Sequence, residues 1–193
     1  MYGKLNITEN HLRTLTLFTR GFKKSLYIRE VNRELNISPR TAQLILESIE
    51  KKGILKSELK GKIRIYELKN NWKTRQYLLL TEQYKLLTFT KKHQIIKEII
   101  EKIEPTIKGT GLIFGSYAKG QETKESDLDI LIIGKHDQEK TEEISKQFNI
   151  DISIKEYTTK KFTEKYAKDY LIREALDNHV VIKGTEDLLK VVL

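Results

Sequence analysis

Cysteine is absent from the 193 residues, which excludes disulfide bonds and thiolate metal sites. The four histidines show no metal-ligand spacing, so a bound metal would rely on carboxylate oxygens, and these favour Mg²⁺ or Mn²⁺ over zinc. No apolar run approaches membrane-spanning length, and the N-terminus lacks the apolar core of a signal peptide. We therefore expect a soluble cytoplasmic protein with no membrane partner.

Aspartate is missing from the first 104 residues, and the charge of the chain is shared unevenly. Residues 1–104 carry 22 Lys and Arg against 11 Glu, a net charge of +11, whereas residues 105–193 carry 14 basic and 16 acidic residues, a net charge of −2. This break in composition predicts two domains. The positive charge of the first domain also indicates that it binds a polyanion such as DNA or RNA.

The most informative pattern lies in the acidic half. The apolar run Leu112–Phe114 ends in Gly115-Ser116, which predicts a buried strand, a tight turn and a helix start whose unpaired N–H groups suit a phosphate. Asp127 and Asp129 stand at i and i+2 at the start of a second apolar strand, so their side chains point to the same side and can share metal ions. A phosphate cradle beside paired carboxylates suits metal-assisted phosphoryl or nucleotidyl transfer.

These motifs resemble the signature of the DNA polymerase beta nucleotidyltransferase superfamily, in its minimal nucleotidyltransferase branch. The residues that carry the resemblance are Gly115-Ser116, Lys119-Gly120 and Ser126-Asp127-Leu128-Asp129. The resemblance covers roughly residues 106–193. The family has a third metal carboxylate on a later strand, and the candidate here is Asp151. Residues 150, 152 and 154 are isoleucines, so Asp151 would lie on the polar face of a half-buried strand.

The resemblance implies a nucleoside triphosphate substrate, most simply ATP, and two Mg²⁺ (or Mn²⁺) ions. The ions would neutralise the departing pyrophosphate and activate an acceptor hydroxyl for in-line attack on the α-phosphorus. The implied catalytic and metal-binding residues are Asp127, Asp129 and Asp151. The implied phosphate-binding residues are Gly115, Ser116 and Lys119. The family often has arginine at the position of Lys119, and lysine offers a point charge without the bidentate fork, so an ordinary surface lysine is the alternative there.

The basic half predicts three helices followed by a hairpin. Helical spacing begins at Leu12, a second helix is expected over residues 26–35, and Ser38 and Pro39 are the predicted N-cap and first residue of a third helix that extends to about Gly53. The buried stripe of the third helix is expected at Leu44, Ile45 and Ile49. Two strands, Ile54–Leu59 and Ile63–Leu68, flank a tight turn at Lys60-Gly61.

This order of elements resembles a winged helix-turn-helix domain, in which the third helix enters the DNA major groove and the hairpin contacts the backbone. The residues expected to contact bases are Ser38, Arg40, Thr41 and Gln43. The residues expected to contact phosphates are Lys60, Lys62 and Arg64. The alternative is that the domain docks on a protein and that its lysines are ordinary surface.

The predicted fold class is α+β with three regions. A winged helix-turn-helix domain is expected at residues 1–74, a helical linker at 75–104, and a nucleotidyltransferase α/β domain with a small mixed sheet at 105–193. The linker region contains no proline or glycine and has helical periodicity. Its second helix is expected to cover the catalytic sheet, with formation of a homodimer through the linker as the alternative.

The functional expectation is transfer of AMP from ATP to a hydroxyl group. The minimal branch implies a protein acceptor, often the partner toxin of a toxin–antitoxin pair with a HEPN-type ribonuclease, and the DNA-binding domain would then repress the operon that encodes the pair. The main alternative is a transcription regulator that senses a nucleotide without turnover. Nucleotide addition to an RNA 3′ end is a third hypothesis, but nothing in the sequence resembles the base-selecting domains of tRNA-tailing enzymes.

Overall fold

The computed structural model describes residues 5–193, which divide into two compact units. The first unit ends at Thr81 and the second extends from Glu82 to Leu193, so the boundary falls inside the segment expected to be a linker. Helices and small sheets occur in both units, which confirms the α+β class. Among the helices described between residues 5 and 193, none is long and apolar enough to cross a lipid bilayer.

The first unit combines three helices with a three-stranded antiparallel sheet in the order β1-β3-β2. Its elements are α1 (Glu9–Phe18), β1 (Leu26–Tyr27), α2 (Ile28–Leu35), α3 (Pro39–Lys51), β2 (Leu55–Lys60) and β3 (Ile63–Leu68). The fully buried side chains at its centre include Phe18, Leu46 and Tyr66. A core contributed by all three helices and the sheet therefore holds this unit together.

Local signals explain the turn between α2 and α3. Asn36 ends α2 in the left-handed conformation, which asparagine tolerates better than most residues. The Ser38 hydroxyl oxygen accepts a hydrogen bond from the Thr41 N–H at 3.0 Å, and Pro39 occupies the first helical position. The predicted start of the third helix is thus confirmed.

Two details of the first unit differ from prediction. Leu26 and Tyr27 do not begin a helix but pair with Tyr66 and Ile65 as a short strand, because a long-range partner in β3 completes their backbone hydrogen bonds. Leu44 was expected in the buried stripe of α3, yet it is 49% exposed; the stripe is formed by Ala42, Ile45, Leu46 and Ile49.

Two consecutive helices occupy most of the segment between the predicted domains. These are α4 (Trp72–Lys92) and α5 (Gln94–Ile103), and they are separated at His93. The α5 helix is strongly amphipathic and buries Ile96, Ile99, Ile100 and Ile103. A single 3₁₀ turn at Glu104–Thr106, with Pro105 in it, ends the helical segment, because proline cannot continue the helical hydrogen bonding.

The second unit contains a four-stranded sheet in the order β6-β5-β4-β7. The strands are β4 (Lys108–Phe114), β5 (Leu128–Lys135), β6 (Ile152–Tyr157) and β7 (Val180–Lys183), and the remaining helices are α6 (Gly115–Lys119), α7 (Gln138–Phe148), α8 (Thr159–Lys165), α9 (Tyr170–Asp177) and α10 (Thr185–Val192). The β5–β6 pair is parallel, whereas β4 pairs antiparallel with β5 and β7. The predicted small mixed sheet is therefore present.

Side chains of β5 alternate between two covered faces of this sheet. Ile130 and Ile132 pack in one cluster with α5 residues such as Ile99 and with Ile144 of α7. Leu131 is buried on the opposite face, where α8 contacts β5 and β6, and α9 and α10 contact β4. Asp129 lies two residues before Leu131, so it belongs to this second face.

Candidate active site

The paired aspartates lie where β5 begins. Asp127 is exposed and immediately precedes the strand, and Asp129 is its second residue and is partly buried. Asp129 stands opposite Phe114, the last residue of β4, and beside Ser153 of β6. Its neighbours on both sides are therefore the ends of adjacent strands, which is the place where a sheet can present side chains to a ligand.

Gly115 lies directly against the carboxylate of Asp129. A Cβ atom added at Gly115 would stand 2.3 Å from Asp129 Oδ2, a separation that real Cβ atoms essentially never show. Gly115 also has φ of +72°, in the left-handed region that favours glycine. Ser116 follows in the first turn of α6. The structure thus brings the glycine-serine bend and Asp129 together.

Asp151 lies at the same end of the sheet. The Leu128 N–H donates to the Asp151 carbonyl oxygen at 2.8 Å, and the next pair along β5 and β6 is Leu128 with Ile152. Residues 151 and 153 alternate in the same sense as residues 127 and 129, so all four belong to one face of the sheet. Asp151 itself is exposed and stands just before β6 begins.

The three aspartates do not form a closed ligand set. Within residues 5–193, no group of three or more His, Cys, Asp or Glu side chains is arranged to hold a metal ion. Asp127 and Asp129 interact as a pair, whereas Asp151 is held at this edge by its backbone.

Burial raises the pKa of Asp129, which shows that its charge is poorly compensated. The hydrogen bond from Ser153 and the charge of Lys155 oppose this shift, while the negative charges of Asp127 and Glu174 add to it. An anionic carboxylate crowded by two others and partly removed from water gains from any nearby cation. The electrostatics of this corner therefore favour a positively charged ligand beside Asp129.

Lys119 has a partner that the sequence did not reveal. Its Nζ donates to Glu174 Oε1 of α9 at 2.9 Å, and this hydrogen bond is the main reason that the pKa of Lys119 is raised. Glu174 also acts on Asp129 through its charge. Nothing in the local pattern around Glu174 identified it, because its relation to Lys119 depends on the packing of α9 over the sheet edge.

The residues expected to read DNA lie on the surface of the first unit. In α3, Arg40 Nη1 donates to Gln43 Oε1 at 3.3 Å, and the Ser38 hydroxyl caps the helix by accepting from the Thr41 N–H. Gln43 Nε2 donates to Glu47 Oε1 at 2.8 Å. The basic residues of the hairpin are exposed at its end, namely Lys60, Lys62 and Arg64.

Comparison with known protein families gives a match in the second half of the chain. The family model described as "Nucleotidyltransferase domain" matches residues 92–182, a range that includes the glycine-serine bend, the three aspartates, Lys119 and Glu174. No curated protein and no solved structure matches the chain significantly. Members of this family generally use a nucleoside triphosphate and a divalent metal. The match supports nucleotidyl transfer as the general activity, and it supports assignment of residues 92–182 to the nucleotidyltransferase superfamily.

Proposed function

We propose that the second unit transfers AMP from ATP to a hydroxyl group in a metal-dependent reaction. The observation that carries the proposal is the contact between Asp129 and Gly115. A half-buried carboxylate with an unfavourable charge environment lies against a backbone position that has no side chain, at the end of two strands. A triphosphate needs accessible backbone N–H groups and its counter-ions need carboxylate oxygens, and this corner of the sheet brings both kinds of group together.

The donor set fits a divalent cation such as Mg²⁺ or Mn²⁺. Asp127 and Asp129 supply hard oxygen ligands, and the missing side chain at Gly115 leaves the space that Asp129 Oδ2 occupies. Asp151, fixed at the same edge by its backbone, is the third candidate ligand. When bound, the ions would offset the negative charge of the triphosphate and lower the pKa of the attacking hydroxyl.

Other residues of the site are proposed to bind the phosphates and to orient Asp129. Gly115 and Ser116 are proposed to hold the phosphates through backbone N–H groups and the serine hydroxyl. Lys119 is proposed to add positive charge, and its ion pair with Glu174 sets the direction of its ammonium group before the nucleotide binds. Ser153 donates to Asp129 and so holds that carboxylate in a fixed orientation.

For the acceptor we propose a protein hydroxyl, and specifically a HEPN-type toxin encoded beside this chain. The test is incubation of the neighbouring gene product with [α-³²P]ATP and Mg²⁺, followed by gel autoradiography. Wild-type protein should label the acceptor, and Asp127→Asn/Asp129→Asn should not. Asp187→Asn is the matched control, since it removes a carboxylate that is exposed on α10. Equal labelling by all three proteins would refute the proposed site; absence of labelling with Mn²⁺ binding retained would refute only the acceptor.

We propose that the first unit is a winged helix-turn-helix domain that binds DNA. The support is its element order, the three-residue connection between α2 and α3, and an exposed hairpin end with three basic residues. Gel shifts with DNA from the region upstream of its own gene test this. Arg40→Ala and Lys62→Ala should weaken binding and reduce its salt dependence, whereas Lys97→Ala, the same charge change on α5, should not.

A second candidate function is nucleotide sensing without turnover. The observation that favours it is that the described residues offer a carboxylate pair rather than a three-ligand set. It predicts that ATP changes the gel shift while no pyrophosphate is released. Pyrophosphate release in the presence of the acceptor would exclude this candidate.

A further inference from the structure

A cavity of about 440 Å³ lies at one end of the four-stranded sheet of the second unit. The three aspartates lie at the opposite end of this sheet. Lys108 begins β4 and Lys135 ends β5, while Asp129 pairs with Phe114 at the other end of β4. Six residue steps along a strand separate the two ends, which corresponds to about 20 Å. The cavity is therefore separate from the candidate active site.

Two lysines that stand opposite each other in the sheet are among the residues that line this cavity. Lys108 and Lys135 are directly paired in the antiparallel ladder, and both line the cavity. Like charges directly opposite each other destabilise a sheet. Among the residues that the structure describes, no carboxylate forms an ion pair with either lysine, so the repulsion is not relieved within the chain.

The backbone beside the lysines is specified by two glycines. Gly109 and Gly134 form the next pair in the ladder, with φ of +125° and +138°. A Cβ at Gly109 would lie 2.2 Å from the Ile133 carbonyl oxygen, and one at Gly134 would lie 2.1 Å from the Lys108 carbonyl oxygen. The strand ends therefore take a conformation that other residues would not permit, and this conformation fixes where the two lysines leave the backbone.

The other charged side chains that line the cavity form ion pairs with nearby groups of opposite charge. His136 Nδ1 lies 2.8 Å from Glu156 Oε2, and Lys140 Nζ lies 3.5 Å from Asp137 Oδ2. Asp137 also accepts a hydrogen bond from the Lys140 N–H as the cap of α7. The two lysines of the sheet thus leave local positive charge, although residues 105–193 carry a net charge of −2.

We propose that this cavity binds the phosphate group of a small molecule, at a site independent of the aspartates. Two unpaired ammonium groups on adjacent strands match the several oxygens of a phosphate or diphosphate, and binding would remove the repulsion between them. The volume is within the range typical of small-molecule sites. Free pyrophosphate and a nucleotide share this chemistry, and the experiment separates them.

The experiment is calorimetric titration of the full chain with pyrophosphate and, separately, with ATP, both in EDTA so that no divalent ion loads the aspartates. Wild type and Asp127→Asn/Asp129→Asn should bind at least one of the two ligands equally well. Lys108→Gln/Lys135→Gln should bind it roughly 100-fold more weakly, since each of the two lost charge-assisted contacts is worth about a factor of ten. Lys97→Gln/Lys190→Gln, the same charge change elsewhere, should bind as wild type does.

Lys108→Glu is a second variant that keeps the test decisive. It places a negative charge at residue 108 opposite the positive charge of Lys135. The variant should therefore unfold at a higher temperature than wild type and should no longer bind the anion. Tighter binding of ATP than of pyrophosphate would identify a nucleotide ligand, and the reverse would identify the free diphosphate. No binding of either ligand by wild type, or unchanged binding by the double lysine variant, would overturn the proposal.

Discussion

Substitution of Gly115 by alanine tests the geometry on which the proposed activity depends. The backbone there has φ of +72°, and an L-residue in this region loses about 1–2 kcal/mol relative to glycine. Gly120 provides a matched control because its φ is +67° and an added Cβ would meet nothing closer than Lys92 Nζ at 3.7 Å. Both variants should therefore lose a similar free energy of unfolding from the backbone.

Only the Gly115 variant should displace the Asp129 carboxylate. The new Cβ would stand 2.3 Å from Asp129 Oδ2, so the two atoms must separate by at least about 0.7 Å to reach the 3.0 Å limit of real Cβ contacts. The next nearest atoms, Asp129 Cγ and Cβ, would lie at 3.1 and 3.3 Å, just above this limit, so the carboxylate oxygen must turn away from residue 115. A misplacement approaching 1 Å costs a reaction about 100-fold.

The assay is label transfer from [α-³²P]ATP to the acceptor, with Mn²⁺ affinity measured by calorimetry as a readout that needs no acceptor. We expect Gly115→Ala to transfer label about 100-fold more slowly and to bind Mn²⁺ more weakly, while Gly120→Ala remains close to wild type in both. Urea titration should show a larger stability loss for Gly115→Ala than for Gly120→Ala, because only the Cβ at residue 115 meets the Asp129 carboxylate. Equal transfer rates and Mn²⁺ affinities in the two variants would refute the assignment of Asp129 and Gly115 to one site.

Two further predictions concern stability. Ser38→Ala removes the oxygen that accepts from the Thr41 N–H, so the free energy of unfolding measured by urea titration should fall by about 1 kcal/mol, while Ser38→Gly should lose only a few tenths; equal losses would contradict the capping role. Glu82 is fully buried, and burial alone would raise its pKa, but the charge of Lys85 and the hydrogen bonds from Lys85 and His179 hold the pKa of Glu82 at about 2, below the ordinary value of 4.5. Its stabilisation, on the order of 3 kcal/mol, should be complete above pH 4.5 and disappear as the pH falls toward 2. Glu82→Gln should therefore lose stability at pH 7 but differ little from wild type near pH 2, and a constant difference across this range would disprove the ion-pair explanation.

Local patterns in the sequence were sufficient to predict the elements that are determined by their own residues. Ser38 and Pro39 identified the start of α3 because a cap and a preset φ act within one turn. The alternation of Ile152 and Ile154 with polar residues identified β6 for the same reason, since one face of the strand must be buried. The short strand at Leu26 could not be predicted in this way, because it depends on pairing with β3, which is distant in the sequence.

Only those parts of the candidate site that lie on consecutive segments of the chain could be predicted from the sequence. Gly115 and Asp129 belong to consecutive segments, and a strand that ends in a glycine turn before an antiparallel partner brings them together. The ion pair of Lys119 with Glu174 joins residues that are 55 positions apart, through packing of α9 over the sheet. Long-range contacts of this kind leave no periodic signal in the sequence, so Glu174 could not be identified beforehand.

The register of β5 and β6 determines how the three aspartates share the sheet edge, and alternation alone cannot specify it. A shift of two residues would keep every apolar side chain on its face but would place Asp151 directly beside Asp129, and adjacent like charges would oppose that pairing. In the observed register Ser153 stands beside Asp129 and donates to it, while Leu128 N–H holds the Asp151 carbonyl. The half-buried carboxylate therefore receives a hydrogen-bond donor, and Asp151 remains at the exposed edge with Asp127. Ser153→Ala should consequently raise the pKa of Asp129 further, which carboxyl-carbon NMR titration can measure; an unchanged pKa would show that Ser153 does not stabilise the charged form.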